Sequence, residues 1–149
     1  MAKALCDNAR NGTIIPIDVL PNDLKIYWNS ISDLKGKQTR RELLKKWRKL
    51  TQEYIIFLQG DTRLTLQRLS LDRIHIAYLD ACHTYEDVLI ESIYIAKKQK
   101  KGDLIIYDDF NEKDFKGLTK AVRDFTCKYN YNLRVIKGVD NRHYAIARK

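Results

Sequence analysis

Apolar runs alternate with amphipathic stretches along the whole chain. Thr13–Val19 (TIIPIDV), Tyr54–Leu58 (YIIFL), Ile74–Leu79 (IHIAYL) and Asp103–Tyr107 (DLIIY) are short and largely unalternating, the pattern of buried strands. Pro16 marks the first as an edge strand or a bulge, because proline has no N–H to give to a ladder. Helical periods lie between these runs. Ala2–Arg10 reads as a short helix stopped by Asn11–Gly12. Thr39–Leu50 puts Leu43, Leu44, Trp47 and Leu50 on one face, with Thr39 and Glu42 at capping-box spacing. Arg63–Leu71 is a further helix. Thr84–Lys98 is another, opened by Thr84 and Asp87 and closed by a Lys-rich turn before Gly102. Leu118–Phe125 carries Leu118, Ala121, Val122 and Phe125 on one side. Leu133–Ile136 and Tyr144–Ala147 form a closing hairpin around a loop with Asp140–Asn141.

This alternation predicts a three-layer α/β domain: a mostly parallel sheet, helices on both faces and an antiparallel last strand. Ligands of such sheets sit beyond the carboxyl ends of the strands. The runs ending in LDACHTY and YDDF both finish in acids, so Asp80, Asp108 and Asp109 are expected at one edge, with His83 a short turn away. Crowded carboxylates repel and call for a cation, a shared proton or a basic partner. The competing reading is that these aspartates only cap the helices that follow. Cys82, between Asp80 and His83, reads as a small turn residue rather than a nucleophile or ligand.

Bulk properties narrow the class. A chain of 149 residues suits one domain, 1–149, with a real core. A net charge of +9 raises the question of an anionic partner. The densest basic patch is Arg40, Arg41, Lys45, Lys46, Arg48 and Lys49, read as a solvated helix face in preference to a nucleic-acid surface. No apolar run approaches the roughly 18 residues of a membrane span, and the N-terminus lacks the apolar core of a signal peptide. Cys6, Cys82 and Cys127, without CxxC spacing, suit free thiols and a cytoplasmic protein.

LDACHTYEDV followed by GDLIIYDDF resembles the second half of class I S-adenosylmethionine-dependent methyltransferases, above all the metal-dependent O-methyltransferases of the macrocin and sugar type. The resemblance runs from about Ala2 to the end and implies a Rossmann-like sheet. It implies that Asp18 binds the cofactor ribose and that Gly60, Asp61 and Thr62 lie along the adenine. It makes Asp80, Asp108 and Asp109 ligands of Mg2+ or another divalent cation, and His83 and Asp80 the catalytic pair, with His83 as base. The implied reaction is metal-assisted methyl transfer to a hydroxyl of a small molecule or sugar.

One departure is large. No G-x-G-x-x-G-like run occurs in the chain, although the family's first strand and glycine-rich loop should precede the Ala2–Arg10 helix. The resemblance therefore implies an N-terminally truncated or shortened domain without its first, central strand, with little activity alone. Thr13–Val19 and Ile74–Leu79 should then pair directly or leave edges that drive self-association. The alternative is a non-catalytic remnant of the fold whose basic Thr39–Leu50 helix binds an anionic partner. A weaker third reading is a metal-dependent hydrolase built on the carboxylates alone.

Overall fold

The computed structural model describes residues 1–28, 31–138 and 142–149, the side chains of 31–32 excepted. The Asp140–Asn141 loop lies outside the described residues. The chain divides into two compact units, Met1–Thr65 and Leu66–Lys149.

The N-terminal unit holds α1 (Ala2–Asp7), β1 (Ile17–Asp18), α2 (Arg40–Leu43), α3 (Arg48–Tyr54) and β2 (Leu58–Gln59), with 3-10 turns at Ile31–Lys35 and Lys45–Trp47. β1 and β2 run parallel, Ile17 opposite Leu58 and Asp18 opposite Gln59. The expected strand at Thr13–Val19 shrinks to this pair. Ile14 makes only a single bridge to Ile55, and Pro16 interrupts the ladder between them. The expected strand at Tyr54–Leu58 is likewise shortened: α3 continues through Tyr54, Ile55 makes the single bridge to Ile14, and β2 begins only at Leu58.

The Thr39–Leu50 helix is also corrected. Its capping box forms as read: Thr39 Oγ1 accepts the Glu42 N–H at 3.1 Å and the Glu42 carboxylate accepts the Thr39 N–H at 2.8 Å. The segment then breaks at Leu44, whose φ of −90° and ψ of 2° end α2 and begin a 3-10 turn. The break turns Trp47 outward, with the Lys46 ammonium 5.3 Å from its ring centroid. Arg40 leaves the supposed solvated face altogether. At 8% exposure it is the single buried residue among the described residues of this unit.

In the C-terminal unit the elements are β3 (Ile76–Leu79), α5 (Tyr85–Lys97), β4 (Leu104–Tyr107), α6 (Lys116–Lys128), β5 (Asn132–Lys137) and β6 (His143–Arg148); α4 (Thr62–Arg68) carries the chain into it. The sheet order is β3-β4-β6-β5. β3 and β4 are parallel with Leu79 opposite Tyr107, while β6 runs antiparallel to both β4 and β5. This is the expected reversed last strand. Thr84 caps α5 as read, accepting the Asp87 N–H at 3.2 Å.

Side-chain alternation sends Ile105 and Tyr107 of β4 and Ala145 and Ala147 of β6 to one face, all at 0% exposure. Val88 and Ile95 of α5 and Leu118, Val122 and Phe125 of α6 pack on that same face. Helical cover on this one side turns β3 from the expected fully buried run into an alternating strand, with Ile76 and Tyr78 exposed and Ala77 and Leu79 packed on the core. Within their own units, β1 pairs with β2 and β3 with β4.

At the foot of β4, Asp103 accepts from Arg73 Nε at 3.1 Å, from Arg73 NH2 at 2.9 Å and from the Lys100 N–H at 2.6 Å. These donors, Arg73 first, hold its carboxyl below the ordinary aspartate range. A depressed carboxylate stabilises the fold above its unfolded pKa of about 3.9 and loses that contribution as pH falls through its folded value. The thermal midpoint is therefore expected to drop on acidification below about pH 4, and Asp103→Asn should flatten that slope. A slope unchanged by the substitution, measured by calorimetry across this range, would remove Asp103 from the account.

Candidate active site

The loop Asp80–Thr84 joins β3 to α5, and Asp108–Phe115 joins β4 to α6. Both leave the carboxyl ends of adjacent parallel strands, so their side chains meet at one edge of the sheet. Asp80, His83 and Asp109 come together there, each offering a ligand atom within 4.8 Å of the others'. His83 Nε2 stands 3.7 Å from Asp109 Oδ2 and is buried without a hydrogen-bond partner. A buried nitrogen without a partner beside two carboxylates offers a donor set that could hold a divalent cation or pass a proton. Burial, then Asp108 and Asp109, push the Asp80 carboxyl above its ordinary value, with His83 and Arg142 opposing.

Asp108 lies beside this group but is not one of the three residues whose ligand atoms converge. It is 3% exposed, and both its oxygens are engaged: Oδ1 accepts the Asp109 N–H at 2.8 Å and Oδ2 accepts the Tyr78 hydroxyl at 2.5 Å. Asp109 has a φ of +52°, the left-handed region that Asp and Asn tolerate best among residues with a Cβ. The structure thus splits the adjacent pair that the sequence presented as equivalent.

His83 is fixed from α6. Its ring lies 4.2 Å, centroid to centroid, from that of Phe115, the residue before α6. Gly117, in the first turn of α6, allows this approach. A Cβ there would sit 3.0 Å from both the His83 carbonyl oxygen and the Tyr85 nitrogen. Those are backbone atoms and cannot rotate aside. Gly117→Ala is therefore expected to cost about 1–3 kcal/mol and to displace His83. Thermal unfolding and Mn2+ titration of the variant check both, and wild-type values in both would show that the loop yields freely.

The residues read as cofactor-binding all fall at the carboxyl ends of β1 and β2. The Gly60 N–H donates to the Asp18 carbonyl at 2.9 Å, which places the two side by side. Asp18 carries a partner that the sequence did not suggest. Its Oδ2 accepts from Arg40 NH2 at 2.5 Å, and Arg40 NH1 donates to Asn22 Oδ1 at 2.9 Å. The guanidinium carbon lies 5.4 Å from the ring centroids of both Trp28 and Phe57. Asp61 accepts from the Arg63 N–H and guanidinium at 2.8–3.1 Å, which holds its pKa down to about 2. Thr62 opens α4.

Three further comparisons bear on this geometry. The sequence profile of a methyltransferase domain family matches residues 1–110. The chain belongs to this methyltransferase family. Its fold is shared with solved O-methyltransferases. With NovP the TM-score is 0.66 at 21% identity, over 97% of this chain and 64% of that one. With CalS11, a TDP-rhamnose 3′-O-methyltransferase of calicheamicin biosynthesis, it is 0.59 at 20% identity, over 91% and 58%. With an O-methyltransferase from Bacillus cereus in complex with SAH it is 0.64 at 11% identity, over 93% and 63%. The chain thus spans about three fifths of the length of these relatives, in a Rossmann-like methyltransferase fold. A search of curated protein sequences finds no significant match. No helix among the described residues is long and apolar enough to cross a membrane.

Tyr78, Phe115, Gly117 and Arg142 were missed in the sequence. For Tyr78 the signal was present, since it lies two residues before Asp80 and a strand's period of two puts both on one face. For Phe115 and Gly117 the sequence holds no signal, because only the docking of α6 brings them to His83.

Proposed function

We propose that this chain carries the acceptor-binding and proton-accepting part of an S-adenosylmethionine-dependent, divalent-metal-assisted O-methyltransferase acting on a hydroxyl of a small molecule or sugar. The observation that carries this reading is the convergence of Asp80, His83 and Asp109 at the carboxyl ends of β3 and β4, with His83 Nε2 left without a partner. The donor set fits a hard cation, since an ion of the Mg2+ type takes one or two carboxylates and completes its shell with water and substrate oxygens. Asp80 and Asp109 are the residues that would hold it.

A cation bound there supplies Lewis acidity that lowers the pKa of an acceptor hydroxyl, and S-adenosylmethionine supplies the electrophilic methyl group. The chain's own side chains do the rest. His83 accepts the hydroxyl proton at Nε2, which has no hydrogen-bond partner within the chain. Asp109, 3.7 Å away, stabilises the imidazolium that results. Phe115 holds the imidazole plane against rotation. In the N-terminal unit, Asp18 would accept the ribose hydroxyls. Its carboxylate is already oriented by Arg40 and the Leu20 N–H and has lone pairs to spare. Gly60, Asp61 and Thr62 would border the adenine. The acceptor of one structural neighbour, TDP-rhamnose, favours a sugar hydroxyl as the acceptor class.

The test is methyl transfer from labelled S-adenosylmethionine to a panel of vicinal-diol sugars, with and without chelator. It is run on this chain and on the longer reading frame, if any, that contains it. The expected result is transfer that needs a divalent cation and falls at least about 100-fold in His83→Ala. The chain alone is expected to transfer poorly, because it holds no glycine-rich run to approach the methionine end of the cofactor. Chelator-insensitive transfer would overturn the metal-assisted reading. Absence of transfer in every form would overturn the methyltransferase reading.

A further inference from the structure

Arg40 is drawn out of a row of cations. Arg41, Lys45, Lys46, Arg48 and Lys49 of the same basic stretch are exposed, and Arg40 alone is buried. Arginine is seldom buried without partners, and here the partners are visible. The capping box at Thr39 makes Arg40 the first residue of α2, and the Arg40 N–H donates to the Asn22 carbonyl at 3.2 Å. The side chain then forks. NH1 donates to Asn22 Oδ1 and NH2 to Asp18 Oδ2, with the rings of Trp28 and Phe57 beside the guanidinium. Asn22 is thus held by both backbone and side chain. That anchors one nitrogen of the fork while the other rests on Asp18.

Asp18 is the outer member of this pair. Its side chain is 37% exposed, against 9% for that of Arg40. Oδ1 is held by one bond, from the Leu20 N–H at 3.0 Å. A carboxylate held at one oxygen can pivot about that bond. The charge-assisted bond from Arg40 to the other oxygen fixes its plane. Each oxygen has then accepted from one of these donors and retains acceptor capacity. Two neighbouring hydroxyls match such a group, because each donates to its own oxygen. A sugar that lacks them leaves both positions unpaired, and a free carboxylate that could turn would discriminate less.

We infer that Arg40 is a positioning residue that sets specificity: its fork, anchored on Asn22, fixes the Asp18 carboxylate so that the N-terminal unit selects a ribose diol over a deoxyribose. The inference rests on the reading of Asp18 as the ribose acid, and it places the selectivity of that acid in a buried residue of α2. A purely structural clamp on the Asn22 loop would support every nucleoside equally. The selective role acts only on the part of the affinity that the two hydroxyls supply.

The experiment compares adenosine with 2′,3′-dideoxyadenosine, titrated into the 149-residue chain by calorimetry and ligand-observed NMR. Adenosine carries the ribose and adenine without the methionine end, for which the chain holds no glycine-rich run. The proteins are wild type, Arg40→Gln, Arg40→Lys, Asp18→Asn and the Arg40→Gln, Asp18→Asn double variant. Trp28 and Trp47, the two tryptophans of the chain, both lie in the N-terminal unit, so their fluorescence reports its folding in each variant. Wild type is expected to bind adenosine at least about 10-fold more tightly than the dideoxy analogue. Arg40→Gln should reduce that preference to under about 3-fold, with dideoxyadenosine affinity within about twofold of wild type. Arg40→Lys keeps the charge but has no fork, so it too should lose preference, and it carries the test if the glutamine variant unfolds. Asp18→Asn should abolish the preference, and adding Arg40→Gln should remove nothing more, because the two act in series. Full preference in a folded Arg40 variant, or equal loss of both nucleosides, overturns the selective role and spares the ribose reading. Unfolding of both Arg40 variants assigns the residue to the fold and overturns it as well. A wild type that binds the two nucleosides alike, or neither, overturns the ribose reading of Asp18 and this inference together, while the ion site of the C-terminal unit stands on its own Mn2+ titration.

Discussion

Asp109→Asn is expected to lower divalent-cation affinity by about 100-fold or more while leaving the domain folded. Removal of a partner outside the ligand shell already costs about 10–100-fold, so removal of a ligand's charge should cost at least the upper figure. Asparagine is the informative replacement. It removes the charge that faces His83 and Asp80, yet it tolerates the φ of +52° found at this position. Alanine would add backbone strain and blur the result. Asp109 is part-exposed and lies outside the buried core, so the thermal midpoint should move little. Mn2+ titration with thermal unfolding in parallel reads both. Wild-type affinity in the folded variant would take Asp109 out of the site.

Phe125→Ala is expected to destabilise the C-terminal unit by about 3–5 kcal/mol, the range for deleting a large aromatic side chain from a packed core. Phe125 is fully buried and sits at the centre of an aromatic cluster. Its ring centroid is 5.1 Å from that of Tyr129 and 5.0 Å from that of Tyr131. Tyr131 in turn donates to Gln99, whose amide donates to the Leu104 carbonyl, so the cavity would loosen the start of β4 as well. Against a total stability of about 5–15 kcal/mol for a typical domain, this loss removes a large fraction. A fall in thermal midpoint of more than about 10 °C is expected by scanning calorimetry. A cost under about 1 kcal/mol would mean that the neighbouring rings collapse into the space.

The contrast between the two units explains where sequence reading worked. In the C-terminal unit, α5, α6, β4 and the β5–β6 pair appear close to the predicted positions; α5, α6, β4 and β6 each bury an apolar face against the others, and their periodicity records that. Capping chemistry was equally legible: Thr84 with Asp87, and Thr39 with Glu42, are local bonds between residues three apart. In the N-terminal unit the same rules misjudged lengths. Apart from Arg40 its described residues are only partly buried, so apolar content there does not report a packed strand or helix face. Thr13–Val19 therefore kept two strand residues, and the basic helix broke at Leu44.

The sequence alone determined the strand–helix order, the family, and the presence of acids at the ends of β3 and β4, because local propensity, periodicity and motif spacing are written along one dimension. It could not decide which acid does what. Asp18 and Arg40 are far apart in the chain, as are Tyr78 and Asp108, and His83 and Phe115; each pair meets only when strands register and helices dock. Tertiary structure buried Arg40 in a part-exposed ion pair with Asp18 instead of leaving it on an exposed basic face. It also turned Asp109 toward His83 while burying Asp108 under Tyr78. The physical reason is that a carboxylate's role follows from its donors, its burial and its backbone angle, and all three are set by neighbours distant in sequence.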